Sequence, residues 1–256
     1  MPDAGAAEPL TTAQLETYRD AGWVLARHFF SRGEVDEMAR WTDELLALPE
    51  VPGRHMIYWE ETASGARVVQ RVENFLAEHQ GFDRLMRQGR LRDAVDRLID
   101  APSLLFKEKI NFKMPGGAGF EPHQDQQAGW SRYAPLFVTA LVTVDPATIA
   151  NGCLEMGDGP RLKRLIGEEW RPLQAEEMQG FALRPVPTEP GDVLFFDSFA
   201  PHGSKPNHTA SPRRILYITY NAAAAGDHRQ RYFAEKRANF PPDIERVPGR
   251  DYKFRV

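Results

Sequence analysis

The strongest constraint on the fold is a group of short β-rich segments in the second half of the chain. From about residue 103 the sequence alternates with the two-residue period of an extended strand. The polar side chains predicted to share one face are Lys107, Lys109, Asn111 and Lys113. The apolar ones predicted to share the other are Phe106, Ile110, Phe112 and Met114, with Glu108 as the exception. Further β-rich runs at 135–144, 191–197 and 214–222 lie between Gly, Pro and Asn-rich turns, which predicts antiparallel strands.

The first third of the chain has helical signals instead. Thr11 and Ser31 are each followed three positions later by Gln or Glu, the pattern of a capping box. Apolar residues then recur at helical spacing to about residue 48. A third helix is predicted over about 82–99, ended by the proline at 102, and a last one over about 228–238. We therefore expect helices first, then a β core, then one helix.

Composition limits the possible partners. The 256 residues are enough for one large domain, and a net charge of −4 gives no overall attraction to nucleic acid or to an anionic membrane. No segment approaches the roughly 18 apolar residues of a membrane span, and the first residues lack the pattern of a secretory signal. The single cysteine, Cys153, cannot form an internal disulfide. We expect a cytoplasmic protein with a small-molecule partner, whereas the oligomeric state is left open.

The segment "EPHQDQQAGW" contains a candidate metal site. His123 and Asp125 are two residues apart, so in an extended segment both side chains point to one side. A third candidate ligand, His202, follows the β-rich run at 191–197. Two histidines and one carboxylate leave open positions on a metal, the arrangement that suits iron(II) with oxygen. Zinc is the rival metal on ligand type alone.

Two arginines begin the strand predicted at 214–222. Alternation sends Arg213 to the side of Ile215 and Tyr217 and sends Arg214 to the opposite side, so one of the two faces the core. A buried guanidinium needs a carboxylate or phosphate partner, and a bound dicarboxylic acid would supply one. The alternative is that solvent surrounds both arginines at the start of a strand.

Together these elements resemble the iron(II)- and 2-oxoglutarate-dependent oxygenases. "HGS" at 202–204, followed by Arg213 eleven positions after His202, is similar to the phytanoyl-CoA dioxygenase (PhyH-like) branch, and so is "NGCL" at 151–154. The likeness covers roughly 70–221. It implies a mainly β fold with flanking helices, whose core is a double-stranded β-helix of the jelly-roll, cupin-like type. We expect one oxygenase domain, with a mainly helical support region over about 1–102, the core over about 103–222, and a C-terminal helix and tail over 223–256.

The resemblance also implies roles for particular residues. His123, Asp125 and His202 would bind iron(II), with 2-oxoglutarate and O2 as cosubstrates. Arg213 would pair with the distal carboxylate of 2-oxoglutarate, and Ser204 would add a hydrogen bond. Arg71 and Lys109 fall where family members have residues that contact the cosubstrate. The sequence departs from the family at "GDGP" after the NGCL turn and at Leu141, where several members have an aromatic residue.

The substrate is predicted from the residues around these positions. If Lys109 faces inward, Lys107, Asn111 and Lys113 do so too, and this stripe favours an anionic substrate group such as carboxylate, phosphate or phosphonate. Trp130 and Tyr133 would cover an alkyl or ammonium portion. The last predicted contact, Gln124, binds substrate or fixes the geometry of the metal ligands.

The segment 107–130 resembles the aminoalkylphosphonate hydroxylases of the branch, so hydroxylation beside phosphorus is the leading prediction. The same chemistry on an acyl-CoA, an amino acid or a natural-product intermediate stays open. Two other functions also stay open: a metal enzyme of another type, and a non-catalytic metal-binding barrel protein.

Overall fold

The computed structural model describes residues 8–62 and 64–252. Within these ranges the α-helices are α1 (Thr12–Ala21), α2 (Arg32–Ala47), α3 (Gln80–Arg87), α4 (Arg90–Ile99) and α5 (Arg229–Asn239). The strands are β1 (Trp23–Ala26), β2 (Met56–Glu61), β3 (Arg67–Glu73), β4 (Ser103–Lys113), β5 (Phe120–His123), β6 (Phe137–Thr143), β7 (Leu154–Gly157), β8 (Leu183–Pro185), β9 (Val193–Asp197), β10 (His202–Ser204) and β11 (Arg213–Ala222). None of the described helices is both long and apolar enough to cross a bilayer.

The helices largely follow the capping signals in the sequence. The Thr11 and Ser31 side chains accept hydrogen bonds from the backbone N–H groups of Gln14 and Glu34. The side chains of Gln14 and Glu34 in turn accept from the backbone N–H groups of Thr11 and Ser31, so both capping boxes are confirmed. The single helix predicted over 82–99 is wrong. Gly89, with φ of 72°, separates α3 from α4, because this left-handed backbone conformation cannot continue a helix.

The strands form two antiparallel sheets. The major sheet has the order β1-β9-β6-β11-β4-β3-β2, and the minor sheet has the order β5-β10-β7-β8. One cluster of buried side chains contains residues of both sheets: Leu141, Phe196 and Ile215 of the major sheet, and Leu154 and Met156 of the minor sheet. The two sheets therefore pack face to face, which confirms the predicted double-stranded β-helix.

The outer face of the major sheet is covered by helices. Leu15 of α1, Met38 of α2 and Val95 of α4 belong to the same buried cluster as Ile110 and Leu216 of the sheet. Burying apolar surface at about 25 cal/mol per Å² makes this layer a main source of stability. Because helices cover one face of the major sheet, a functional site can form only on the face toward the minor sheet.

Three strands lie in the region predicted to be mainly helical. β1 extends one edge of the major sheet beside β9, and β2 and β3 extend the other edge beside β4. Sequence periodicity missed them for a physical reason. β1 has only four residues, and burial in β3 runs from exposed at one end to buried at the other instead of alternating.

The alternation predicted for β4 holds from Lys107 to Lys113 and fails at Phe106. The ladder with β11 passes from Thr219↔Lys107 to Tyr220↔Leu105, so Phe106 is the extra residue of a β-bulge. The bulge turns Phe106 toward Trp130, whose ring centroid lies 5.4 Å away, on the side of the site. The prediction that Phe106 shares a face of β4 with Ile110 is therefore wrong.

The exception in the pattern, Glu108, is buried on the helix-covered face. Its carboxylate accepts hydrogen bonds from the Phe75 backbone N–H at 2.9 Å and from Arg229 of α5 at 2.7 Å. Burial raises the pKa of Glu108 to about 7, against the attraction of Arg229. This pair attaches α5 to the middle of the major sheet.

Candidate active site

Three predicted metal ligands meet at one end of the two sheets. His123 ends β5, Asp125 begins a short 3₁₀ turn (Asp125–Ala128), and His202 begins β10. Because His202 pairs with His123 in the minor sheet, residues 79 positions apart become neighbours, with ring centroids 4.3 Å apart. One ligand atom from each of the three lies within 4.8 Å of the others, and His202 Nε2 is 4.0 Å from Asp125 Oδ1. This spacing allows them to share one ion.

Backbone carbonyls fix the orientation of both imidazoles. His123 Nδ1 donates to the Glu121 carbonyl at 2.7 Å, and His202 Nδ1 donates to the Ala200 carbonyl at 2.9 Å. A carbonyl oxygen can only accept, so Nδ1 carries the proton and Nε2 keeps its lone pair. This is the second contact that metal-binding histidines usually make. The site therefore fits a metal ion bound through both Nε2 atoms.

The charge state of the three groups also fits a metal. Burial lowers the pKa of His123 to about 3 and lowers the pKa of His202, so both rings are neutral near pH 7. Burial opposes ionisation of Asp125, but nearby His202 and Lys107 hold the pKa of its carboxyl below the ordinary value. Neutral imidazole and ionised carboxylate are the forms that bind metals.

Sequence reasoning missed one partner of this group. Thr139 of β6 donates a hydrogen bond to Asp125 Oδ2 at 3.3 Å and shares another with Thr219 of β11 at 2.9 Å. Oδ2 is thereby tied to the major sheet, while Oδ1 faces His202. Thr139 and Thr219 both lie in predicted strands, but a threonine in a strand is too common to single out, and the sequence does not show that these two strands pair.

A cavity of about 730 Å³ opens from these residues. Four residues predicted to contact the substrate or the cosubstrate line it: Lys107, Lys109, Trp130 and Tyr133. Asn111 lines a smaller pocket of about 30 Å³ beside the ligand group, together with Lys107, Lys109, His202 and Tyr217. The inward stripe of β4 thus reaches both spaces, as its two-residue period requires.

The structure bears out the strand phase proposed for the two arginines. Arg213 is 1% exposed and lies on the same face of β11 as Tyr217, whereas Arg214 points outward to Asp145 and Asp43. Arg213 Nη1 donates to the Gly152 carbonyl at 2.6 Å. Its Nε is buried, and none of the described residues accepts a hydrogen bond from it. A buried donor of this kind fits an absent carboxylate, such as the distal end of a diacid.

Ser204 has a protein partner, Lys113, which also contacts the carbonyl that Arg213 binds. Lys113 Nζ donates to Ser204 Oγ at 2.8 Å, to the Lys205 carbonyl at 2.6 Å and to the Gly152 carbonyl at 3.2 Å. The Gly152 carbonyl therefore joins Lys113 and Arg213, which places the NGCL turn against both cations. Lys113, the last residue of the polar stripe predicted to favour an anionic group, instead bonds to the protein at this turn.

Gln124 lies away from the cavity, contrary to its predicted contact with substrate. It is fully buried, and its side-chain amide bonds to the backbone of Arg164, Ile166 and Phe199. The cause is strand alternation, which turns Gln124 to the side opposite its two neighbours, the candidate ligands.

Arg71, the other residue predicted to contact the cosubstrate besides Lys109, is buried beside a carboxylate. Within the described residues it lines neither the cavity nor the smaller pocket. Its guanidinium pairs with Glu73 at 2.7 Å and lies 4.3 Å from the centre of the Tyr58 ring. The nearby carboxylate accounts for this orientation of Arg71, and the cosubstrate contacts of Arg71 and Lys109 both stay predictions.

Two histidines and one carboxylate at the end of a double-stranded β-helix, beside an inward arginine, define a non-haem iron oxygenase. The family described as "Phytanoyl-CoA dioxygenase (PhyH)" matches residues 18–215 of the chain. The chain therefore belongs to this family, and the enzyme class predicted from the sequence, an iron(II)- and 2-oxoglutarate-dependent dioxygenase using O2, is confirmed.

Two characterised relatives are similar over most of their length. A methylphosphonate hydroxylase of Gimesia maris is 39% identical over 90% of this chain and 88% of its own. A 2-aminoethylphosphonate dioxygenase of an uncultured bacterium is 37% identical over 94% and 93%. Among solved structures, EctD from S. alaskensis with 2-oxoglutarate and 5-hydroxyectoine superposes with a TM-score of 0.70 at 22% identity, covering 87% of this chain and 80% of that one. The structural likeness supports the shared fold.

Proposed function

We propose that this dioxygenase hydroxylates the carbon atom bonded to phosphorus in a small organophosphonate, with release of succinate and CO2. The two relatives that support this proposal act, by name, on methylphosphonate and on 2-aminoethylphosphonate. The observation that carries it is a wall of the cavity formed by three lysines, Lys107, Lys109 and Lys236. Such a wall attracts an anionic substrate.

The proposal gives each part of the site a task. His123, Asp125 and His202 hold iron(II), with their bonds to Glu121, Ala200 and Thr139 fixing the geometry. When bound, iron and 2-oxoglutarate supply the oxidising chemistry that replaces a C–H bond by C–OH. The chain's own residues bind and orient the substrate carbon and exclude water.

The cosubstrate site is assigned from buried cations. Arg213, with its Nε lacking an acceptor among the described residues, pairs with the distal carboxylate of 2-oxoglutarate. Ser204 and Lys113 support it from the side. Lys109, between the cavity and the smaller pocket, contacts the cosubstrate near the iron. Trp130 and Tyr133 form the aromatic wall over the substrate.

The test is turnover by purified protein loaded with iron(II). Succinate formation is measured with methylphosphonate, 2-aminoethylphosphonate, proline and a long-chain acyl-CoA, and hydroxylated phosphonate is identified by phosphorus NMR. We expect succinate and hydroxylated product in equal amounts with at least one phosphonate. His123→Ala should abolish both, whereas His208→Ala, the same change at an exposed position, should leave them unchanged. Stimulation by proline or the acyl-CoA alone would contradict the proposal.

The cytoplasmic location and the organisation as one domain stay predictions from the sequence. The single cysteine, buried as Cys153, is compatible with a reducing compartment.

A further inference from the structure

Lys107 brings an ammonium group into the cavity wall without a hydrogen-bond acceptor. The residue is 6% exposed, and none of the described residues accepts a hydrogen bond from its Nζ. The Nζ lies 4.6 Å from the ring centroid of Trp130 and 5.7 Å from that of Tyr232. Burial lowers the pKa of Lys107, although Glu73 and Asp125 oppose this change. Because the side chain is mostly buried and lines the cavity, this ammonium group is available to bind an anion there.

A second ammonium group enters the same wall from α5. Lys236 Nζ donates to Glu73 Oε2 at 2.5 Å and lies 5.9 Å from the centroid of the Tyr232 ring that Lys107 also approaches. The other carboxylate oxygen of Glu73 accepts from Arg71 at 2.7 Å, so Glu73 is shared between two cations. An ammonium group has three N–H donors, and the contact with Glu73 uses one of them.

Lys107 is also close to the point of reaction. It pairs with Thr219 across β4 and β11, and the Thr219 hydroxyl is linked through Thr139 to Asp125. It lines both the cavity and the smaller pocket beside the ligand group. In the proposed reaction the oxidised carbon is bonded directly to phosphorus. The phosphonate group must therefore bind at the end of the cavity where the metal ligands lie.

We propose that Lys107 and Lys236 together bind the phosphonate dianion of the substrate, and that Glu73 is a positioning residue that orients Lys236 toward it. The identity of the anion rests on the proposed function, whereas the location of the anion site rests on the geometry. Lys109, one pleat further along β4, faces Tyr217 at 4.9 Å and stays with the cosubstrate.

The experiment measures binding apart from turnover. The iron(II)- and 2-oxoglutarate-loaded protein is titrated with methylphosphonate without oxygen, by calorimetry and by Trp fluorescence. Methylphosphonate carries no ammonium group, so its affinity reports the phosphonate contacts alone. Lys107→Met and Lys236→Met should each weaken binding about 10- to 100-fold, the range for losing a charge-assisted hydrogen bond. Lys163→Met, the same change at an exposed lysine outside the cavity lining, should leave the affinity unchanged.

A folding control keeps the result interpretable. Lys236→Met leaves the buried Glu73 carboxylate with one fewer partner, so the double variant Glu73→Gln/Lys236→Met is tested beside it and thermal unfolding of each protein is recorded. The site is refuted if folded Lys107→Met binds methylphosphonate as tightly as the unsubstituted enzyme.

The two proposals fail in different ways. Normal phosphonate turnover and binding in both lysine variants would remove the anion site and leave the proposed function standing. If the enzyme instead binds and oxidises a carboxylate or sulfonate, with the same dependence on Lys107, the proposed substrate is wrong and the anion site stands. An enzyme that binds none of these anions contradicts both.

Discussion

Replacing Gln124 by leucine tests whether this residue binds substrate or organises the site. Its amide Nε2 donates to the carbonyls of Arg164 at 3.0 Å and Phe199 at 2.6 Å, and its Oε1 accepts from the Ile166 N–H at 2.8 Å. Phe199 directly precedes Ala200, whose carbonyl orients the His202 ring. The side chain thus connects the turn carrying two candidate ligands to the turn carrying the third.

The expected loss of stability follows from these contacts. Leucine is similar in size but makes none of the three hydrogen bonds, each worth about 1 kcal/mol net. The free energy of unfolding should fall by about 3 kcal/mol, and Tm by roughly 6 to 12 °C for a domain of this size. The kcat should fall as His202 loses its fixed position, while KM for the substrate should change little.

The assay combines thermal unfolding with steady-state succinate formation. Gln179→Leu, the same change at an exposed glutamine, is the control, and its effect on the free energy of unfolding should stay within about 0.5 kcal/mol. A Gln124→Leu enzyme with unchanged Tm and a strongly raised substrate KM would refute this reasoning and restore the contact with substrate predicted from the sequence.

Two further predictions concern the cosubstrate end. Arg213→Ala should raise KM for 2-oxoglutarate about 30-fold or more, because a charged partner of the carboxylate is lost. Arg214→Ala, which removes only outward ion pairs, should leave that KM unchanged, and the opposite result would reverse the strand phase. Gly152→Ala and Gly180→Ala should both cost about 1–2 kcal/mol in unfolding free energy for their positive φ. In a denaturant titration, Gly152→Ala should lose about 1–3 kcal/mol more unfolding free energy than Gly180→Ala, because a Cβ at residue 152 collides with the Lys205 backbone. Equal losses in the two variants would contradict this close approach.

Local signals were sufficient wherever one segment determines its own conformation. The Thr11 and Ser31 capping boxes and the alternation of β4 from Lys107 onward depend on neighbouring residues, and the structure agrees with each. Alternation in β11 predicted that one of Arg213 and Arg214 faces inward, and the family resemblance pointed to Arg213, which is buried. Local sequence signals failed where the pairing of two strands determines the direction of a side chain. At Phe106 the β-bulge arises from the pairing of β4 with β11.

Buried charges show the same limit. The contact between Glu73 and Lys236 joins residues 163 positions apart, and no spacing rule relates them. The family resemblance predicted a cosubstrate contact for Arg71, but the sequence could not show that Glu73 pairs with this arginine. Electrostatic partners of this kind depend on which strands and helices become neighbours, so they follow only from the assembled fold.

The sequence by itself determined the chemistry available to this protein: the residue types of a metal site, an inward cation and a polar strand face, all fixed by local spacing. Only the tertiary structure decided which of them share a space. Antiparallel pairing brings His202 beside His123, and the packing of α5 brings Lys236 into the cavity wall. The physical reason is that periodicity fixes the direction of a side chain, whereas its neighbours depend on contacts between distant segments.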